Sequence, residues 1–159
     1  MPAKRLEMPV YTGFVRVSFA ICTCYRKHIF IKKNESFTHK CIYALKKSCE
    51  KHGAKNYIYC FMPDHVHILL EGKKENTNLL SIINMFKQIS AYEFRLTANK
   101  EKLWQDSYYD HILRSDEEIL TQVKYIAENP VRKKLVNKHN EYPFTGSVSF
   151  DLKELLGSL

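Results

Sequence analysis

The stretch from Tyr57 to Glu71 constrains the fold more than any other part of this chain. It reads Tyr-Ile-Tyr-Cys-Phe-Met-Pro-Asp-His-Val-His-Ile-Leu-Leu-Glu, two apolar runs broken at Pro63-Asp64. Short runs rich in Ile, Tyr, Phe and Val read as strands, and proline followed by aspartate favours a turn between them. Side chains alternate faces along a strand, so His65 and His67 leave one face while Val66, Ile68 and Leu70 line the other. Two imidazoles side by side, just after a turn, can grip a divalent metal.

The rest of the chain supplies what such a hairpin needs to pack. Phe14 to Cys24 alternates, with Val15, Val17, Phe19 and Ile21 on one face, and predicts a first strand. Ser36 is placed to cap a helix that stops at Gly53. A second helix is expected near Thr77–Thr97, where Leu79, Ile82, Ile83, Phe86 and Ile89 recur at helical spacing. Leu103-Trp104-Gln105 and Tyr108–Leu113 flank Asp106-Ser107 and read as a short hairpin. Ser115-x-x-Glu118 is a capping box opening a third helix, whose buried stripe is Ile119, Leu120, Val123, Ile126 and Ala127. Asn129-Pro130 should end it, because the residue before proline avoids the helical region.

This order of elements predicts an α+β fold, a central antiparallel sheet with helices packed on one face, close to a ferredoxin-like arrangement. The 159 residues suit one domain, 1–159, with a core of about 14–147 and a C-terminal tail, 148–159. No apolar run is long enough to span a membrane, and Met1 to Glu7 lacks a signal-peptide core, so the chain is expected in the cytoplasm. Cys22, Cys24, Cys41, Cys49 and Cys60 include no Cys-x-x-Cys; buried, reduced thiols are the better expectation than disulfides or zinc. Cys22 and Cys24 share a strand face, which leaves a metal role conceivable.

A formal charge of +8 is spread over pairs and triplets such as Lys46-Lys47 and Arg132-Lys133-Lys134, interspersed with ten tyrosines and nine phenylalanines. Basic charge with aromatic faces suits single-stranded nucleic acid, although a solubilising surface has the same composition. The third helix adds chemistry. Tyr125 lies off its apolar stripe, and Gln122 and Asn129 share the face of Tyr125. If that face lies over the histidine face of the sheet, His65, His67, Asn129 and Tyr125 converge. Two imidazoles and an amide oxygen would suit Mg²⁺ or Mn²⁺ holding a phosphate, with Tyr125 as nucleophile. Lys124, Glu128 and a metal-bound water are the candidate acceptors of its proton.

Met62-Pro-Asp-His-Val-His-Ile-Leu-Leu70 resembles the signature of the single-tyrosine HUH transposases, and Tyr125-Ile-Ala-Glu-Asn129-Pro-Val131 resembles the helix carrying their nucleophile. Trp104-Gln105, Tyr109-Asp-His-Ile112 and Tyr142-Pro-Phe144 further resemble the REP-associated tyrosine transposases. The likeness runs from about Phe14 to Ser147. It implies an HUH nuclease fold. It also implies recognition of DNA hairpins and metal-dependent cleavage and rejoining of single-stranded DNA, with the 5′ phosphate held on tyrosine. Carried over by motif, His65, His67 and Asn129 would bind the metal and Tyr125 would attack. Many insertion-sequence members carry glutamine as the third ligand; Asn129 at this spacing is similar to the REP-associated branch. Some relatives are dimers whose tyrosine helix serves the partner's histidines, so a homodimer stays open here.

Other readings compete. Tyr108 and Tyr109 are rival nucleophiles, one of which must face inward. Lys87, Arg114, Arg132 and Lys133 are candidate DNA contacts. His65-x-His67-x-x-x-Glu71 has cupin-like ligand spacing, but the glycines of a cupin motif are missing and two long helices do not suit a jelly roll. A domesticated hairpin-binding regulator without chemistry is the non-enzymatic alternative.

Overall fold

Pro63 and Asp64 turn the chain between β2 (Ala54–Met62) and β3 (His65–Gly72), which pair antiparallel with Met62 opposite His65. The computed structural model describes residues 8–97 and 100–157; the Lys4-Arg5 pair and the last two residues of the expected tail lie outside them. β1 (Arg16–Cys22) pairs with the other side of β3, β4 (Tyr109–Leu113) extends β1, and β5 (Thr145–Gly146) adds a short edge to β2. The sheet order is β4-β1-β3-β2-β5 and every pair is antiparallel. Four helices accompany it: α1 (Glu35–His52), α2 (Leu79–Leu96), α3 (Asp116–Arg132) and the short α4 (Leu152–Gly157).

The helices cover both faces of the sheet, not one. Val17, Phe19, Ile21, Val66, Ile68 and Leu70 pack on one side against α1 and α2 residues such as Leu45, Ile83 and Phe86. The opposite face is also apolar over Ile58, Cys60, Met62 and Leu69, and it is this patch that buries Ile119, Val123, Ile126 and Ala127 of α3. Each fully buried aliphatic or aromatic side chain contributes roughly 1.5–3 kcal/mol, so a helix with four of them is firmly seated. Leu152, Leu155 and Leu156 of α4 pack on the same cluster, which ties most of the expected tail to the sheet.

Two polar contacts fix where α3 lies. Arg16 reaches Asp116 in its first turn (Nη1–Oδ1 2.8 Å), and Gln122 Nε2 donates to Ser18 Oγ on β1 (3.0 Å). Its N-terminus is capped by Ser115 Oγ, which accepts from the Glu118 N–H at 3.1 Å. The return bond of the box goes to the Arg114 N–H (2.7 Å), one residue before the expected partner.

Several sequence expectations shift. Ser36 lies inside the first turn of α1; Asn34 precedes the helix and makes no side-chain cap. Gly53 does end it, in the left-handed conformation at φ 72° that glycine adopts without penalty. Asn78 caps α2 by accepting from the Leu80 N–H at 2.9 Å. β2 starts earlier than Tyr57 because a bulge between Asn56 and Ile58 lets the strand continue, with the buried Asn56 amide donating to Ile58 O and Leu69 O. Leu103–Gln105 forms no hairpin with β4. Trp104 instead bridges Thr23, and its indole N–H donates to Ser90 Oγ of α2 at 2.8 Å. A buried tryptophan with a satisfied N–H outweighs the local turn preference. α3 runs through Pro130 to Arg132, because burial of Asn129 and Pro130 and a Lys133 N–H bond to Asn129 O (3.0 Å) hold that turn helical.

Gly72, at the end of β3, touches the N-terminal segment so closely that a Cβ there would lie 1.8 Å from the carbonyl oxygen of Gly13. Among the described residues no helix is long and apolar enough to cross a membrane.

Candidate active site

His65 and His67 sit on the α3 side of β3, in register with Cys22 and Ala20 of β1 and with Met62 and Cys60 of β2. Ala20, Cys22 and Cys60 are small and leave room above the strand for two rings. The imidazoles meet edge to face, with centroids 4.9 Å apart, and their Nε2 atoms are 3.2 Å apart. Two nitrogens each about 2.1 Å from one ion sit about 3.0–3.4 Å from each other, so this spacing fits joint ligation.

Both rings are held neutral, the form a metal requires. Burial, the neighbouring His65 and Arg132 push His67 down to about 4. Burial also lowers His65, against the opposing pull of Asp64. The Asp64 carboxylate accepts from His65 Nδ1 at 2.7 Å. Burial works against the Asp64 charge, but the bonds from His65 and Arg26 outweigh it and hold the carboxyl below its ordinary value. With Nδ1 carrying the proton, Nε2 of His65 is free to donate its lone pair.

α3 brings the other two groups. Tyr125 and Asn129, one helical turn apart, line the same cleft of about 430 Å³ as His65 and His67. Asn129 is 5 % exposed and lines the cleft. An amide oxygen in the wall of a cleft can accept a ligand. Tyr125 is 51 % exposed. Among the described residues no cluster of three His, Cys, Asp or Glu side chains could hold an ion.

The remaining expected residues divide. Lys133 lines the cleft. Arg132 turns back along α3, its guanidinium 3.9 Å from the centroid of the Tyr125 ring and donating to Tyr125 O at 2.7 Å. Lys87 lies elsewhere, lining a second cavity with Arg95, Lys102 and Trp104 and donating to Gln105 O at 2.9 Å. Arg114 is exposed just before α3. Lys124 is exposed, and Glu128 lines a neighbouring cavity with Arg132. Of the rival tyrosines, Tyr108 is buried edge-on against Phe19, while Tyr109 is exposed on β4; neither lines the cleft. Glu71 points to the histidine face but is engaged by Arg16 (3.5 Å) and the Tyr57 hydroxyl, with the fully buried Leu69 between it and His67. It cannot complete a cupin-like set. Cys22 is buried and takes an Arg26 N–H, so it too is occupied.

Arg26, His28, Met62 and Leu135 also line the cleft and were not legible as site residues in the sequence. For Asp64 there was a signal, a carboxylate next to a histidine; for Arg26 and His28, in a loop far along the chain, there was none.

Fold and motif order together define a transposase. The family model described as IS200-like transposase matches residues 14–129, and the chain belongs to that family. A protein of Haemophilus influenzae named as a REP-associated tyrosine transposase is 25% identical over 112 residues. That match covers 64% of this chain, and the chain spans only 64% of that relative's length. A solved structure of a REP-associated tyrosine transposase bound to a REP hairpin superposes with a TM-score of 0.73 at 18% identity, covering 91% of this chain and 82% of that one. A crystal structure of a transposase from Deinococcus radiodurans superposes at 0.50 with 21% identity over 79% of this chain and 96% of that one. These likenesses show the fold: a five-stranded antiparallel sheet with helices, shared with REP-associated transposases.

Proposed function

We propose that the protein nicks and rejoins single-stranded DNA beside a hairpin, through a covalent link between Tyr125 and a 5′ phosphate. The observation that carries this reading is the meeting of Tyr125 and Asn129, from one helix, with His65 and His67, from one strand, in a single cleft. The hairpin is supported by the fold shared with a protein solved on one.

His65, His67 and Asn129 would hold Mg²⁺ or Mn²⁺; both ions accept mixed nitrogen and oxygen donors. When bound, the ion withdraws charge from the phosphate oxygens and fixes the geometry of attack. The protein's residues do the rest. The Tyr125 oxygen attacks phosphorus, the P–O3′ bond breaks, and the leaving 3′ oxygen takes a proton as the phenol gives one up. A phosphodiester is exchanged for a phosphotyrosine ester, so no external energy is spent. In rejoining, a 3′ hydroxyl attacks the same phosphorus and Tyr125 leaves. Lys133, which lines the cleft, would hold the DNA backbone near the phosphate.

The test incubates the protein with hairpin-bearing single-stranded DNA and Mn²⁺, then looks for a covalent adduct on a denaturing gel. The adduct should vanish in Tyr125→Phe and persist in Tyr109→Phe. An adduct that survives Tyr125→Phe would refute the nucleophile. Tight hairpin binding with no adduct under either metal would favour a regulator over an enzyme.

A further inference from the structure

Tyr25 and Arg26 occupy the left-handed region in tandem, at φ 57° and 53°, although neither is glycine. Side chains with a Cβ avoid this conformation, and adjacent residues adopt it together only when the surroundings impose it. Here they do. The Thr23 N–H donates to Asp64 O (2.9 Å), the Thr23 hydroxyl donates to Lys27 O (2.7 Å), and the Cys24 N–H donates to Leu103 O (2.8 Å). The tight turn after β1 is thus stapled to the Pro63-Asp64 turn on one side and to the Trp104 segment on the other.

The turn sends the Arg26 guanidinium back over the Asp64 turn. Its Nε donates to Asp64 Oδ2 at 2.9 Å, and its Nη1 reaches Cys22 Sγ at 2.8 Å. Asp64 uses its other oxygen, Oδ1, for His65 Nδ1 at 2.7 Å. The chain then runs on through His65 Nε2 to His67 Nε2, 3.2 Å away. Each oxygen of one carboxylate therefore has one donor, and the carboxylate can neither rotate nor move without breaking a bond. Arg26 itself is anchored at a second point by Cys22, the cross-strand partner of His65.

We propose that Arg26 is a positioning residue: acting through Asp64, it holds His65 as the Nδ1–H tautomer with Nε2 turned toward His67. The strained turn exists to deliver that guanidinium. The inference takes from the proposed function only the role of Nε2 as a donor to the ion. Arginine suits the task better than lysine, because its planar fork supplies two fixed N–H directions where an ammonium supplies one point charge. Partners of this kind behind a ligating histidine typically change metal affinity by about 10- to 100-fold when removed.

The experiment uses the full chain labelled with ¹⁵N-histidine, free of metal, at pH 7.5. Long-range proton–nitrogen spectra should show His65 protonated at Nδ1 in the wild type and a mixture of tautomers in Arg26→Gln and in Asp64→Asn. His39, whose ring lies edge-on to the buried Phe144, serves as an internal control for an intact fold. Mn²⁺ titration followed by electron paramagnetic resonance should give a Kd about tenfold weaker in Arg26→Gln than in the wild type, with Arg26→Lys in between. The proposal is overturned if Arg26→Gln leaves both the His65 tautomer and the Mn²⁺ Kd unchanged, or if wild-type His65 carries its proton on Nε2. Wild-type protein that binds no Mn²⁺ sinks the metal reading instead, and the tautomer comparison still decides Arg26.

Discussion

Arg132 lies flat over Tyr125: its guanidinium carbon is 3.9 Å from the ring centroid, and Nη2 is bonded to the Tyr125 carbonyl. The candidate nucleophile is half exposed, so packing alone does not fix its ring. A cation over an exposed aromatic face contributes about 0.5–1 kcal/mol. Arg132→Ala should therefore slow adduct formation by about two- to fivefold through looser placement of the phenol. Arg132→Lys keeps the charge without the planar stack and should behave nearer to the alanine variant. Single-turnover gels with both variants check this; a lysine variant at wild-type rate would show that Arg132 serves only as a charge for phosphate.

Mn²⁺ should raise the melting temperature of the DNA-free protein. An ion that binds only the folded state at a hundred times its Kd adds about 2.7 kcal/mol to the unfolding free energy. His67→Ala and Asn129→Ala should each lose most of that rise, each measured against its own metal-free transition. Calorimetry with and without Mn²⁺, and after EDTA, measures it.

Gly72→Ala should be the most damaging small substitution in the sheet. Its added Cβ would lie 1.8 Å from Gly13 O, a backbone atom that cannot step aside alone. Overpacking of this kind typically costs about 1–3 kcal/mol, and backbone overlap belongs at or above the upper end. The urea midpoint reports the loss. Gly157→Ala, with open space around it, is the matched control and should shift the midpoint little.

Alkaline pH should destabilise the fold. Burial raises Cys49 from 9.0 to about 12 and Cys60 from 9.0 to about 11, and burial with the bond to Glu71 raises Tyr57 from 10.0 to about 12. A group raised in the folded state gives its full stabilisation below its unfolded value and loses it as pH climbs toward the folded value. Urea midpoints should thus hold to about pH 8.5 and fall between about 9 and 12. Over the lower range, thiol reagents should leave Cys49 and Cys60 unmodified in the folded protein.

The hairpin and the tyrosine helix were the legible parts of this chain because their information is local. His65 and His67 declare a shared face by alternation, and Tyr125 and Asn129 declare one by helical spacing. What escaped is what depends on distant neighbours. α3 covers the second face of the sheet because Ile58, Cys60, Met62 and Leu69 make that face apolar, a fact visible only once β2 and β3 are in register. Trp104 abandons the expected hairpin for a hydrogen bond to Ser90 across the core. Arg26 enters the cleft through two left-handed residues that carry no glycine to announce the turn.

The fastening of α3 to its own sheet, by Arg16 to Asp116 and Gln122 to Ser18, has a kinetic corollary. If the proposed nucleophile and ligands act within one polypeptide, the reaction centre does not fall apart on dilution, and specific activity should stay constant down to nanomolar protein. Mixing a histidine-deficient copy with a tyrosine-deficient one should then restore nothing, and restored activity would show that the tyrosine helix serves a partner copy.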